Sequence, residues 1–395
     1  MADILIAGAG LGGLTSALAL IQRGHRVRVF EQANELRETG AGVQLGANGT
    51  RILIALGLEP AMRQIVCAAT AKEIRLGTTG QIWPVFDLGE SSVERFGAPY
   101  WMVHRGDFHA VLLDAVRTAA PDAIRTGCGC VGFSQTGDTA ILHLANGDRI
   151  DGDILIGADG VHSQIRQQMS GAGPARFTGL MAWRGLVPMD RLAPHQRRSV
   201  GANWLGAGGH VVTYPIRRGA LLNFVGVVER DDWHVESWNE PGSHAECLRD
   251  LANWHADVKA VIRAIDTPYK WALLGREPLT AYVQNRVCLI GDAAHPTLPF
   301  LAQGANMALE DAMVIARCLD LSSDPGEALR RFQNARLDRT AAIVRGSSDN
   351  TRRFHNPALA SAEGAAAYVE REFRPEKIRQ RYDWLYEYDA LTVPV

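Results

Sequence analysis

Apolar residues fall along this chain in short runs that end in glycine, and those junctions organise the reading. Ile4-Leu-Ile-Ala7 has the length and content of a strand covered on both faces, and Leu14 to Ile21 continues as a buried helix. Arg26-Val-Arg-Val-Phe30, Asp153-Ile-Leu-Ile156 and Arg286-Val-Cys-Leu-Ile290 repeat the strand pattern, each ending at an acid or a glycine. Between them the period changes. Lys72 to Val85 alternates polar and apolar residues, Trp101 to His104 is strand-like, and Arg105 to Arg117 is an amphipathic helix opened by Gly106-Asp107. Ala140 to Ile150 reads as a hairpin around Asn146-Gly147. From Phe177 to about Pro278 come short strands, among them Met181 to Gly185, Gly209 to Pro215 and Ala220 to Val228, for which a mainly antiparallel sheet is the economical reading. Met307 to Cys318, Gly326 to Arg345 and Ala360 to Tyr388 read as helices, with a break at Asn356-Pro357.

The first junction, Gly8-Ala-Gly10-Leu11-Gly-Gly13, stands between a strand and a helix. In that context glycines bring a pyrophosphate onto backbone N–H groups at a helix N-terminus. Gly8 permits the turn, Gly10 lets phosphate touch the backbone beside Leu11, and Gly13 brings helix against strand. Glu31 ends the second strand roughly 20 residues on, where an acid holds a ribose hydroxyl. This matches the adenosine half of FAD or NAD. The uncharged stretch Ile4 to Ile21 is also long enough to be taken for a membrane span, but its four glycines, Thr15 and Ser16 argue for the nucleotide turn.

Two later junctions narrow the choice. Gly157-Ala158-Asp159-Gly160 closes a strand and turns into Val161 to Arg166; alone, it is also what an ordinary turn contains. Gly291-Asp292-Ala293-Ala294-His295-Pro296 follows the Arg286 strand and precedes a loop, Pro299 to Asn306. Asp292 can accept from a ribityl hydroxyl, and N–H groups at Gly304 and Ala305 can face an electron-rich pyrimidine edge.

With these three motifs in order, the chain resembles the single-component (group A) FAD-dependent aromatic hydroxylases of the p-hydroxybenzoate hydroxylase fold. The nearest branch is that of salicylate hydroxylase and 3-hydroxybenzoate 6-hydroxylase. The likeness runs from Asp3 to about Cys318 and more loosely through the tail. It implies an α/β fold in which a Rossmann-type FAD-binding domain (1–70, 100–176, 279–325) is interleaved with a mainly antiparallel β-sheet substrate domain (71–99, 177–278), followed by C-terminal helices (326–395). It further implies NADH or NADPH as a transient co-substrate, dioxygen, a flavin C4a-hydroperoxide and a small aromatic acid; relatives are often homodimers.

The resemblance also places residues. His210 and Tyr214, in His210-Val-Val-Thr-Tyr214, share one face of a strand and look like the histidine and tyrosine that meet the ring; histidine suits drawing a proton from a phenol. The plain alternative is a satisfied core histidine beside Gly208-Gly209 and a packing tyrosine. Gln303 lies at a loop position near flavin and substrate, or simply caps the next helix. Gln44, in the glycine-rich stretch Gly40 to Gly46, is placed beside the isoalloxazine. Hydroxynicotinate hydroxylases tend to carry histidine there. Arg105 looks like the arginine that reaches the FAD pyrophosphate, or is a surface residue flanking a helix. His295 is expected to make a structural hydrogen bond. A hydroxylase of an N-heteroaromatic such as 6-hydroxynicotinate stays open, as does a flavin oxidoreductase. A halogenase would carry a Trp-x-Trp-x-Ile-Pro segment, which does not appear.

Composition changes this picture little. The 395 residues carry 41 basic and 43 acidic side chains, a balance that offers nucleic acid no electrostatic footprint. Six scattered cysteines show no zinc or disulfide spacing and fit a reducing cytoplasm, and no metal site is expected. Met1-Ala-Asp3 leads straight into the first strand, so neither a signal peptide nor a membrane anchor is expected.

Overall fold

The computed structural model describes residues 1–36, 41–171, 175–230, 232 and 240–395. Gly40 of the glycine-rich stretch lies outside the described residues. The apolar runs at the junctions make one sheet. Asp3–Ala7 pairs in parallel with Arg26–Phe30 on one side and Ile154–Gly157 on the other, and Val287–Leu289 extends the order. Asp3–Ala7, Ile154–Gly157 and Val287–Leu289 are buried at their centres, which explains why they read as unbroken apolar runs, whereas Arg26–Phe30 alternates and its central Arg28 is only half-buried. The helix after the first strand spans Leu11–Ile21, three residues earlier than its apolar period indicates, because glycines are admitted into its first turn.

The alternating segments make a second, eight-stranded sheet. Ala71–Leu76 and Ile82–Asp87 join strands from the 176–275 region, in the order Glu240–Pro241, Tyr269–Gly275, Arg176–Pro188, Leu221–Glu229, Gly209–Ile216, Val200–Gly206, Ala71–Leu76, Ile82–Asp87. Only the contact of Val200–Gly206 with Ala71–Leu76 is parallel. Period-two alternation gives this sheet two unlike faces. Met181, Trp183, Trp204, Val211 and Phe224 point one way and pack with Val258 and Ile262 of the helix Ala256–Ala264. Ile74, Leu205, Tyr214 and Val227 point the other way and join Phe300, Phe354, Tyr382 and Leu385. That second face is turned toward the nucleotide-type sheet and the C-terminal helices. Burying a side chain as large as Trp183 contributes on the order of 3 kcal/mol to the first of these faces.

A small sheet bridges the two large ones: Gly42–Leu45 and Cys67–Ala68 flank Trp101–His104. The Asn146-Gly147 hairpin joins Thr139–Leu144 to Arg149–Gly152, with Cys130–Thr136 as a third strand. At the end of the chain the helix over Gly326 continues to Phe354, well past Arg345. The segment read as one helix from Ala360 is two, Ala362–Glu372 and Pro375–Tyr386, because proline can only open the second. No helix among the described residues is long and apolar enough to cross a membrane.

Candidate active site

The first cradle is built by contacts that exclude side chains. Gly8 sits at φ +103°, and a Cβ there would lie 2.4 Å from the Ala158 carbonyl oxygen; one on Gly13 would lie 2.0 Å from that of Gly8. Gly10 has nothing within 4 Å of its Cβ position, so the open side of the turn is there. The Leu11 side chain is 6% exposed and packs in the core, leaving its N–H at the helix N-terminus to meet a ligand. Glu31 is fixed under the turn, accepting from Ala9 N and Ala33 N at 2.8 Å each.

The later junctions meet the first one. Asp159 Oδ2 accepts from Gln164 N at 2.9 Å, so this carboxylate caps the helix Gln164–Ser170; burial raises its pKa, and Oδ1 has no partner. Capping is thus its visible work, and any cofactor contact falls to Oδ1. Asp292 is exposed and accepts no hydrogen bond among the described residues. Arg105 opens the helix Arg105–Ala119 with its side chain exposed. The last helix begins at Gly304 rather than Met307. Ala302 in the left-handed region (φ +54°) turns the chain into it, and the Gly304 and Ala305 N–H groups lie in a first turn that has no helical acceptor for them.

Three walls converge beside this helix end. Gly42 N donates to Asn223 Oδ1 at 2.7 Å, tying the bridging strand to the large sheet, and Gly46 N donates to Asn306 Oδ1 at 3.0 Å, tying it to the helix. Tyr214 fills the space over Gly42, where a Cβ would come within 2.5 Å of its ring. Gln44 Oε1 accepts from Tyr100 Oη at 2.8 Å and turns toward the large sheet, because alternate residues of Gly42–Leu45 face that way. Burial raises the Tyr214 phenol far above its ordinary pKa, more than its bond to Gln44 lowers it, so it is a permanent donor.

His210 and Tyr214 do share a face, but they occupy different ends of it. His210 is 1% exposed, edge-on to Phe300 at 4.8 Å between ring centres. Its Nδ1 lies 2.7 Å from His355 Nε2, and His355 Nδ1 lies 2.9 Å from Glu229 Oε1, on a side chain 55% exposed. The carboxylate can only accept, so His355 carries its proton on Nδ1 and accepts at Nε2; His210 in turn donates from Nδ1 and keeps a lone pair on Nε2. Burial holds His210 well below the usual histidine range, and the neighbouring His355 adds to that; burial also lowers His355, against the raising effect of Glu229.

Gln303 does not cap the helix with its side chain. Its Oε1 accepts from Asn48 Nδ2 at 2.9 Å, which leaves Nε2 as the group able to donate to a ligand. Asn48 also donates to Glu310, part of a buried cluster in which Arg336, Arg339, Asp311 and His295 balance one another. His295 Nε2 meets Asp311 Oδ2 at 2.6 Å and is occupied structurally. His355, Glu229, Lys72, Asn203 and Asn223 were not singled out in the sequence. Their strand parity was available, but which strands are neighbours was not.

Comparison with known proteins agrees with this geometry. The family model described as FAD binding domain matches residues 1–347. The 3-amino-4-hydroxybenzoate 2-monooxygenase PtnB3 of Streptomyces platensis is 37% identical over 392 residues, covering 99% of this chain and 97% of that protein. The 3-hydroxybenzoate 6-hydroxylase 1 of Aquipseudomonas alcaligenes is 34% identical over 388 residues, 97% of each chain. Among solved structures, Klebsiella pneumoniae HpxO complexed with FAD and uric acid superposes with a TM-score of 0.82 at 27% identity, covering 95% of this chain and 96% of that one. The side-chain-free cradle at Gly8 to Gly13, the unengaged Asp292 and the helix end at Gly304 fit FAD.

Proposed function

Since the chain belongs to the FAD binding domain family and is an FAD-dependent aromatic monooxygenase, we propose that it hydroxylates a monocyclic hydroxybenzoate-type ring, salicylate or 3-hydroxybenzoate, with NADH or NADPH as donor. FAD, when bound, supplies an electrophilic oxygen atom taken from dioxygen. Gly8, Gly10, Leu11 N–H, Gly13, Glu31 and Arg105 would hold its nucleotide half; Asp159 Oδ1, Asp292, Gly304 and Ala305 would hold the flavin half.

The observation that carries the substrate reading is the His210–His355–Glu229 chain, which links a buried lone pair to the surface. A ring hydroxyl donates its proton to His210 Nε2. The Nδ1 proton of His210 passes to His355 Nε2, and the Nδ1 proton of His355 passes to Glu229, so both imidazoles stay neutral and no cation is buried. The ring oxygen gains electron density as the proton leaves, and the positions ortho and para to it become nucleophilic. Tyr214 and Gln303 Nε2 orient the ring while Phe300 and Phe354 keep water out.

The test is a panel of substituted benzoates and 6-hydroxynicotinate under oxygen-18, with NADH and NADPH separately. Ring-stimulated nucleotide oxidation and labelled hydroxylated product are expected from a hydroxybenzoate. Equal oxidation with and without every ring, yielding only peroxide, or preference for the N-heterocycle, overturns this substrate reading.

A further inference from the structure

The row of the large sheet that carries Tyr214 also carries a lysine with nothing to pair with. Lys72 stands opposite Gly201, and the register that sets Ala202 opposite Thr213 puts Gly201 beside Tyr214, which is itself opposite Asn223. Residues opposite one another share a face, so Lys72, Tyr214 and Asn223 look into the same space. Gly201, lacking a side chain, admits Met102 of the bridging strand there. A Cβ there would lie 2.8 Å from Met102 Cε and 4.0 Å from both Gln44 Oε1 and Lys72 Cγ, so the lysine stem and the Gln44 amide converge over this glycine.

Lys72 is 9% exposed, and its ammonium has no hydrogen bond or ion pair among the described residues. The contrast with other buried cations is plain: Lys270 has Glu246 at 2.8 Å and Arg336 has two carboxylates. One row further along, Asn203 is opposite Val212, and its Oδ1 is buried without a donor; Asn223 Nδ2 is buried without an acceptor. Three open polar groups on one face, next to Tyr214, mark a place that a polar ligand completes. A buried cation without an anion costs stability unless a ligand brings the anion.

We propose that Lys72 binds the carboxylate of the aromatic substrate while the ring hydroxyl faces His210, so that the two substituents are meta or para to each other. This rests on the substrate reading above and sharpens it. Tyr214 and His210 are four residues apart, about 13 Å along the strand, and Lys72 is two strands, about 10 Å, to the side of Tyr214. A lysine, a ring and an imidazole span that diagonal only if the ring's polar groups lie on opposite sides. Asn203, opposite both Ile74 and Val212, stands at the middle of that diagonal, and an ortho pair, as in salicylate, cannot serve both ends.

Oxidised, FAD-loaded wild type, Lys72→Met and Lys72→Arg would be titrated with 3-hydroxybenzoate, 4-hydroxybenzoate, salicylate and the neutral 3-hydroxybenzamide, reading the flavin absorbance change, with FAD content and circular dichroism as folding controls. Lys72→Met should weaken the meta or para acid on the order of 10- to 100-fold, change the amide less than two-fold, and be partly rescued in Lys72→Arg. Equal loss for acid and amide assigns Lys72 a packing role and overturns the proposal. So does unchanged acid binding. Salicylate bound best, with the same dependence on Lys72, overturns the meta or para placement. If no benzoate binds wild type at all, the substrate reading falls with it, an outcome distinct from a benzoate that binds without Lys72.

Discussion

Two buried polar regions lie on either side of the bridging strand, and they are built on opposite plans. Behind the Gly304 helix, Glu310, Asp311 and Arg336 are each 0% exposed, yet the cations and carboxylates match: Arg336 with Glu310 and Asp311, Arg339 with Glu310, His295 with Asp311. Burial by itself would raise Asp311, but His295 and Arg336 outweigh it and bring it to about 2. On the sheet face, Lys72, Asn203 and Asn223 are buried with open valences, and burial alone pushes Lys72 down to about 8. A polar group whose partner is in the chain fixes the fold. One with no partner among the described residues has a valence that a ligand can fill.

The difference is sharpest in stability. Arg336→Met would leave two carboxylates with one less cation in a dry core, and a loss of about 3–5 kcal/mol is expected from the urea midpoint of the FAD-loaded protein. A loss below about 1 kcal/mol would mean that the matched cluster is not what joins the Gly304 helix to Pro325–Phe354. Lys72→Met should do the reverse. A lysine held near 8 when folded and at its ordinary 10.5 when unfolded binds fewer protons folded than unfolded, so it lowers stability fully below pH 8 and the penalty fades as pH rises to 10.5. The methionine variant should therefore be more stable than wild type at pH 7, by about 2–3 kcal/mol once packing changes are allowed for, and equal to it above pH 10.5. Saturating 3-hydroxybenzoate should raise the wild-type melting temperature more than that of the variant.

The nucleotide cradle and the open sheet face were unequally legible. The cradle could be read because its elements are local: Gly8, Gly10 and Gly13 are required within six residues by close backbone approach, and a strand and helix flank them in sequence. Helix ends were read less well, since Leu11 begins its helix in a glycine-rich turn and Gly304 follows a loop turned by Ala302, and both hide the apolar period. The sheet face is different. His210 and Tyr214 were visible as a same-side pair on one strand, but Lys72 comes from 138 residues before His210 in chain numbering and His355 from 145 after it. Parity tells which way a side chain points within a strand; it does not tell which strands are neighbours. Asp159 is the converse case, a motif residue whose helix-capping bonds to Gln164 and Ile165 N–H no spacing in the sequence announces.

Breaking the histidine chain tests the open region from its other end. His355→Asn removes the acceptor for the His210 proton, so a proton taken from the ring stays on a buried imidazole. Turnover should fall on the order of 10-fold, with substrate dissociation changed less than two-fold. An equal loss in both would make His355 a packing residue. In wild type, burial keeps both histidines neutral below their ordinary 6.5. The acid limb of turnover should accordingly lie below pH 6.5, and the stability these neutral imidazoles contribute is complete above 6.5 and lost as pH falls through their lowered pKa values.

The smallest effect is expected at the exposed end. Glu229→Gln keeps an oxygen that accepts the hydrogen bond from His355 Nδ1 but cannot take its proton, which must then pass to the water that reaches this half-exposed position; the tautomers survive, and turnover at neutral pH should fall only a few-fold, about two- to three-fold. The carboxylate has a second influence, however: it is the one group that raises His355 against burial. Without it His355 becomes harder to protonate, and the acid limb should move to lower pH, the direction opposite to that expected if Glu229 merely shielded the site from solvent cations. Because the side chain is half exposed, salt should shrink the wild-type effect but not the variant's. An acid limb that does not move would show that the proton leaves His210 by another route, and would detach the surface carboxylate from the buried face.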